Sequence, residues 1–160
     1  MSVESPLNIV ICWHMHQPQY CDLISGTYQL PWSYLHATKD YIDMAAHLEA
    51  VPEARAVVNF APILLEQLSD YAGQVNGVLS ENKHIRDPLL AALAAAVLPG
   101  SKDQRMELVS ACLRVNELRS IKRFEPYQRL AEMARWFHDH PSGMLYIGDQ
   151  FITDLLVWYH

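Results

Sequence analysis

The hydrophobic pattern changes character part-way along this chain. Up to about residue 73, short apolar runs alternate with amphipathic stretches; from residue 84 onward the apolar period is helical throughout. Residues 8–12 form an apolar, β-branched run, the pattern of a parallel strand covered on both faces. Pro18 cannot donate to a strand ladder and biases Gln17 toward an extended or turn conformation, so this strand is expected to span about 8–14. Residues 33–49 read as a helix, with Leu35, Thr38, Ile42, Ala45 and Ala46 on one face, Ser33 as N-cap and Pro52 beyond the end. Residues 54–60 read as a second strand, which makes a βαβ unit with parallel strands and a right-handed crossover. Pro62 then opens a helix over 63–71 whose stripe is Ile63, Leu64, Gln67, Leu68 and Tyr71.

Asn76-Gly77 is a turn signal, but its flanks do not alternate as a hairpin requires. Asp87-Pro88 starts a very apolar helix through Leu98. Residues 103–121 form another, with Met106, Val109, Cys112 and Leu113 inward. Residues 125–138 form a third, with Pro126 in the first turn and Leu130, Met133, Ala134 and Phe137 at core spacing. Residues 149–160 are a last apolar segment, helical from Asp149 or Thr153, and it stops without Gly, Pro or a polar tail, which is not how a domain usually ends. The predicted class is α/β: a βαβα part over 8–73 and a helical part over 84–160. Two strands alone leave their edges exposed, so 1–160 is expected to be a single fragment of a larger fold.

Composition narrows the partners. The 160 residues are 51% hydrophobic and 19% charged, so the chain is globular. A formal net charge of −6, with no Lys/Arg run, argues against nucleic acid. Three cysteines, Cys12, Cys21 and Cys112, have no metal-type spacing and fit a reducing cytoplasm. The N-terminus lacks a signal-peptide pattern, and the apolar run 89–98 is too short for a membrane span.

The candidate chemistry sits where the first strand ends. Side chains alternate along a strand, so Cys12, His14 and His16 share one side, at the lip where α/β sheets bind ligands. Two imidazoles beside the Gln17 amide can hydrogen-bond sugar hydroxyls, or hold a metal with a carboxylate from elsewhere; taken as an isolated pair they read rather as loop residues satisfied by backbone carbonyls. Asn59 and Phe60 reach the same lip. The loop 19–32 carries Tyr20, Tyr28 and Trp32, which either stack on sugar rings or cover the end of the core. His36, Lys39 and Asp40 read as a solvated helix face, and Glu66 as a surface carboxylate. His138-Asp139-His140 invites a metal reading, but a helix C-terminus favours histidine through its dipole alone.

Six segments also carry a family resemblance: Trp13-His14-Met15-His16-Gln17-Pro18, Leu30-Pro31-Trp32, Leu35-His36-Ala37, Lys39-Asp40-Tyr41, Asn59-Phe60-Ala61-Pro62 and Gln67-Leu68-Ser69-Asp70-Tyr71. In this order over residues 8–73, with the tail 154–160 in support, they resemble the N-terminal part of glycoside hydrolase family 57. The resemblance implies the first portion of an incomplete (β/α)7 barrel acting on α-glucans such as starch, glycogen or maltodextrin, by hydrolysis or glucanotransfer. It implies a retaining mechanism with a Glu nucleophile and an Asp acid/base about 5 to 5.5 Å apart, and no cofactor or metal. By motif match His16 would bind the sugar beside the cleaved bond, with His14, Gln17 and Trp32 near it. The nucleophile and acid/base belong to later conserved regions, and Glu66, Asp70 and Asp149 sit in segments that resemble other parts of the family. No catalytic residue is therefore assigned within residues 1–160; this chain is expected to be inactive alone, with the rest of the barrel beyond His160. The alternatives are a truncated carbohydrate-binding pseudoenzyme, a metal-dependent deacetylase-like hydrolase at His14 and His16 with Asp22, and a structural helical module that leaves the early motif unexplained.

Overall fold

The structure is a computed structural model that describes Leu7 and residues 9–81, 83–95 and 97–160. Along the chain run β1 (Cys12–Met15), α1 (Trp32–Thr38), α2 (Asp40–Ala50), β2 (Val57–Phe60), α3 (Pro62–Glu81), α4 (Pro88–Ala94), α5 (Lys102–Cys112), α6 (Glu125–Asp139) and α7 (Asp149–Tyr159). A π-helical turn at Glu117–Ile121 lies between α5 and α6, and a 3-10 stretch at Pro141–Tyr146 lies between α6 and α7. The chain is mixed α/β and mostly helical, with β1 and β2 parallel. It divides into two compact units, one ending at Arg86 and the other running from Asp87 to His160. No helix among the described residues is long and apolar enough to cross a membrane.

In the first unit, β1 and β2 pair in the register Cys12↔Val57, Trp13↔Val58, His14↔Asn59 and Met15↔Phe60. Met15 packs with Ala61 and Leu64 in a small core flanked by Trp13, Tyr41, Met44, Ile63 and Leu68. Both strands are shorter than the expected 8–14 and 54–60, and position 8 lies outside the described residues. The expectation of a strand covered on both faces fails within this chain: Ile9 and Val10 are 76% and 78% exposed, and Val57 and Phe60 are exposed too. With one partner strand and one helical layer, the other sheet face has nothing to pack on.

Two helix assignments in this unit are corrected. The helix expected over 33–49 breaks at Lys39 (φ −122°, ψ −84°) into α1 and α2. Ser33 is not its N-cap; Pro31 holds that position, and the fully buried Ser33 hydroxyl donates to Gln67 Oε1 at 3.1 Å. The helix expected to stop near Tyr71 continues through Asn76-Gly77 to Glu81. Gly77 lies under the Lys83 side chain, where an added Cβ would come within 3.1 Å of Cδ, so here glycine makes room for a close approach rather than a turn.

In the second unit, α7 packs on α4, α5 and α6. Its Ile152, Leu155 and Leu156 are fully buried, each contributing about 1.5–3 kcal/mol of apolar burial. Asp87 caps α4 by accepting from the N–H groups of Leu89 and Leu90, as Asp87-Pro88 predicts. That helix stops at Ala94 rather than Leu98; position 96 lies outside the described residues. The helix expected over 103–121 ends at Cys112; beyond it the Asn116 carboxamide accepts from Arg119 N–H at 2.9 Å and caps a separate π-helical turn. On α6 the fully buried positions are Tyr127, Ala131 and Ala134, while Met133 is 49% exposed, so the core face is rotated from the predicted one.

Candidate functional site

The site starts from strand geometry. Alternation along β1 turns Trp13 and Met15 toward the helices and leaves Cys12 and His14 on the open face. The chain stays extended past Met15, so His16 falls on the His14 side: the two rings stack with centroids 6.0 Å apart and planes 10° from parallel. Across the pair, His14 Nδ1 lies 2.7 Å from Asn59 Oδ1. The strands are parallel, so His14, His16 and Asn59 gather at one end of the sheet, the C-terminal lip.

Gln17, next in the chain, turns into a phenol bridge. Its Nε2 donates to Tyr41 Oη at 3.3 Å, and its Oε1 accepts from Tyr20 Oη at 2.9 Å. Burial, and beyond it the neighbouring Tyr41, pushes the Tyr20 phenol upward, so it acts as a neutral donor. Tyr41 in turn stacks on His36 at 6.2 Å, and the Trp32 ring lies 6.5 Å from His36. Trp32 therefore joins the group through His36 and Tyr41. Next to the break at Lys39, Asp40 pairs with His36. His36, Asp40 and Tyr41 were not distinguishable from an exposed helix face by spacing alone; the signal available was His36 and Asp40 standing four residues apart.

The loop after β1 is fixed by two anchors on α3. Gln67, 2% exposed, accepts from Tyr20 N–H and the Ser33 hydroxyl and donates to the Pro18 carbonyl at 2.9 Å and the Ile63 carbonyl at 3.2 Å. Asp70 accepts from Tyr28 Oη at 2.8 Å and Gln74 Nε2 at 2.7 Å, and pairs with Arg86. Burial, and then this bond to the Asp70 carboxylate, raise the Tyr28 phenol far above its ordinary value. The loop's own turn is closed by Asp22, whose carboxylate accepts from Ile24 N–H and the Ser25 hydroxyl, with Gly26 at φ +71°. These bonds, the Ile24 N–H first, hold the Asp22 carboxyl below its ordinary range.

Each carboxylate singled out by sequence has an ordinary task or none. Glu66 is exposed on α3, Asp70 holds the loop, and Asp149 pairs with Arg105. Asp22, the carboxylate a metal site at His14 and His16 would draw on, is committed to its own turn. Among the described residues no group of three His, Cys, Asp or Glu side chains is placed to hold a metal ion. At the C-terminus of α6, His140 stacks on Trp136 at 4.4 Å with Nδ1 2.9 Å from the Trp136 carbonyl, and His138 and Asp139 are exposed.

The family model described as glycosyl hydrolase family 57 matches residues 10–158, nearly the whole chain. The chain belongs to glycosyl hydrolase family 57. Comparison with curated proteins and with solved structures gives no match. Membership implies carbohydrate as the substrate class. At the strand end, imidazoles, a carboxamide and phenols offer hydrogen-bond donors and acceptors, and the aromatic rings offer apolar faces.

Proposed function

We propose that residues 1–160 form the opening portion of a retaining family 57 glycoside hydrolase or glucanotransferase acting on α-glucans. In this reading His16 binds the sugar beside the cleaved bond, His14, Gln17 and Trp32 shape the pocket around it, and no metal or cofactor takes part. The observation that carries it is the gathering of His14, His16 and Asn59 at one lip of the parallel pair, in a chain that belongs to this family. The exposed apolar side chains of Ile9, Val10, Val57 and Phe60 support placing further strands and helices of an incomplete (β/α)7 barrel against this sheet. The carboxylates Asp40, Asp70 and Asp149 are paired with His36, Arg86 and Arg105, which supports placing the nucleophile and acid/base outside residues 1–160. The chain alone is then a binding lip without turnover. Incubating it with maltoheptaose and following reducing ends tests this: no hydrolysis is expected, and hydrolysis abolished by His16→Ala would overturn it.

A further inference from the structure

We propose that Asn59 is a positioning residue that holds His14 in the Nδ1–H tautomer, so that Nε2 carries the lone pair and accepts a hydrogen bond from a neutral sugar hydroxyl. The ligand part rests on the glucan reading above; the tautomer part does not. The parallel register sets His14 opposite Asn59, and alternation puts both side chains on the open face of the sheet. His14 Nδ1 and Asn59 Oδ1 are 2.7 Å apart although the residues are 45 positions apart in sequence. A carboxamide oxygen only accepts, so the proton between them is on the imidazole. The contact is specified by strand pairing: a slip of one residue would turn Asn59 to the other face and set Val58 or Phe60 against His14.

An unconstrained imidazole favours the proton on Nε2, and the tautomer a protein adopts is decided by what the other nitrogen bonds to. A hydrogen bond of ordinary worth to Nδ1–H shifts the tautomer ratio roughly fivefold. The choice of side chain matters too. An Asp at 59 would also hold Nδ1–H but would favour the charged ring, which has two donors and no acceptor. Asn59 brings no charge of its own, and in the neutral ring its bond to Nδ1–H leaves an acceptor at Nε2. Such a group suits a hydroxyl, which can donate, and offers nothing to a phosphate or carboxylate substituent, which only accepts. The position is thereby matched to neutral rather than anionic sugars.

The test is a ¹⁵N-edited histidine ring spectrum of the full chain, with the His14 signals assigned by their loss in His14→Gln. The wild type is expected to show His14 mostly as Nδ1–H. Asn59→Leu should move the ratio toward Nε2–H by roughly fivefold, and Asn59→Asp should restore Nδ1–H. A wild-type His14 that is mainly Nε2–H, or an Asn59→Leu spectrum unchanged from wild type, overturns the proposal. Should Asn59→Leu not fold by circular dichroism, Asn59→Ala reads the same ratio. Maltoheptaose titrations of the same samples separate the two claims. The Nδ1–H tautomer without glucan binding sinks the substrate reading and leaves Asn59's role standing. Glucan binding with a mainly Nε2–H ring sinks Asn59's role alone.

Discussion

Gln67 is the single side chain on which the strand-end loop most depends, and replacing it by leucine should loosen the whole lip. Its carboxamide is 2% exposed and makes four hydrogen bonds, to Pro18, Tyr20, Ser33 and Ile63. The Ile63 carbonyl lies within α3, so it loses least. The Ser33 hydroxyl is fully buried, and stranding it costs about 1–3 kcal/mol. The Pro18 carbonyl and Tyr20 N–H belong to residues with some exposure, so water replaces part of what they lose, at about 0.5–1 kcal/mol each. The sum is about 2–5 kcal/mol, little of it returned by leucine because the lost volume is similar. For a unit of this size each kcal/mol lowers the melting temperature by about 4–8 °C. Thermal unfolding followed by circular dichroism should therefore show Gln67→Leu melting at least about 8 °C below wild type. Ser33→Ala in the Gln67→Leu background should cost less than in the wild type, because the hydroxyl is already stranded. A Gln67→Leu protein within about 0.5 kcal/mol of wild type, or strict additivity with Ser33→Ala, would refute this reasoning.

Two further outcomes follow from the buried titratable groups. Cys12 is exposed, Cys21 half-buried and Cys112 buried, with the Cys112 thiol pushed up to about 12 by burial, so a thiol reagent near neutral pH should label Cys12 and Cys21 and reach Cys112 only after unfolding; rapid native labelling of Cys112 would show that α5 is not packed as described. Alkali should destabilise the fold: the unfolded Cys112 ionises near 9.0 and the folded one near 12, so its contribution is full below about pH 9 and is lost as pH climbs toward 12. Burial raises Tyr28, Tyr127 and Tyr159 in the same direction, and a urea midpoint that stays flat from about pH 8 to 10.5 would contradict this.

What the sequence made legible was local. Asp87-Pro88 and Pro126 announce helix starts through their own backbone chemistry, and α4 and α6 begin there; α7 begins at Asp149, one of the two starts expected for it. The apolar runs and Pro18 likewise place β1, β2 and the strand end within a few residues. What escaped it depends on partners distant in the chain. Gln67 has the spacing of a core position, and only the loop arriving from Pro18 and Tyr20 makes it a polar anchor. Asn76-Gly77 carries turn chemistry, yet the helix passes through it, and the Lys83 side chain folds over the glycine. The break at Lys39 has no Gly or Pro to announce it, and the Tyr41 contact with Gln17 joins residues 24 positions apart. The separate turn after α5 had a signal: Asn116 before Glu117 has the form of a cap.

The central claim is that the strand end with His14 and His16 binds α-glucan. It is tested most directly by isothermal titration of the chain with maltoheptaose, beside cellohexaose, for wild type, His16→Ala and the surface control Glu66→Gln. The account predicts saturable binding of maltoheptaose in preference to cellohexaose, lost in His16→Ala and retained in Glu66→Gln. Equal binding of both sugars, or binding untouched by His16→Ala, would contradict it.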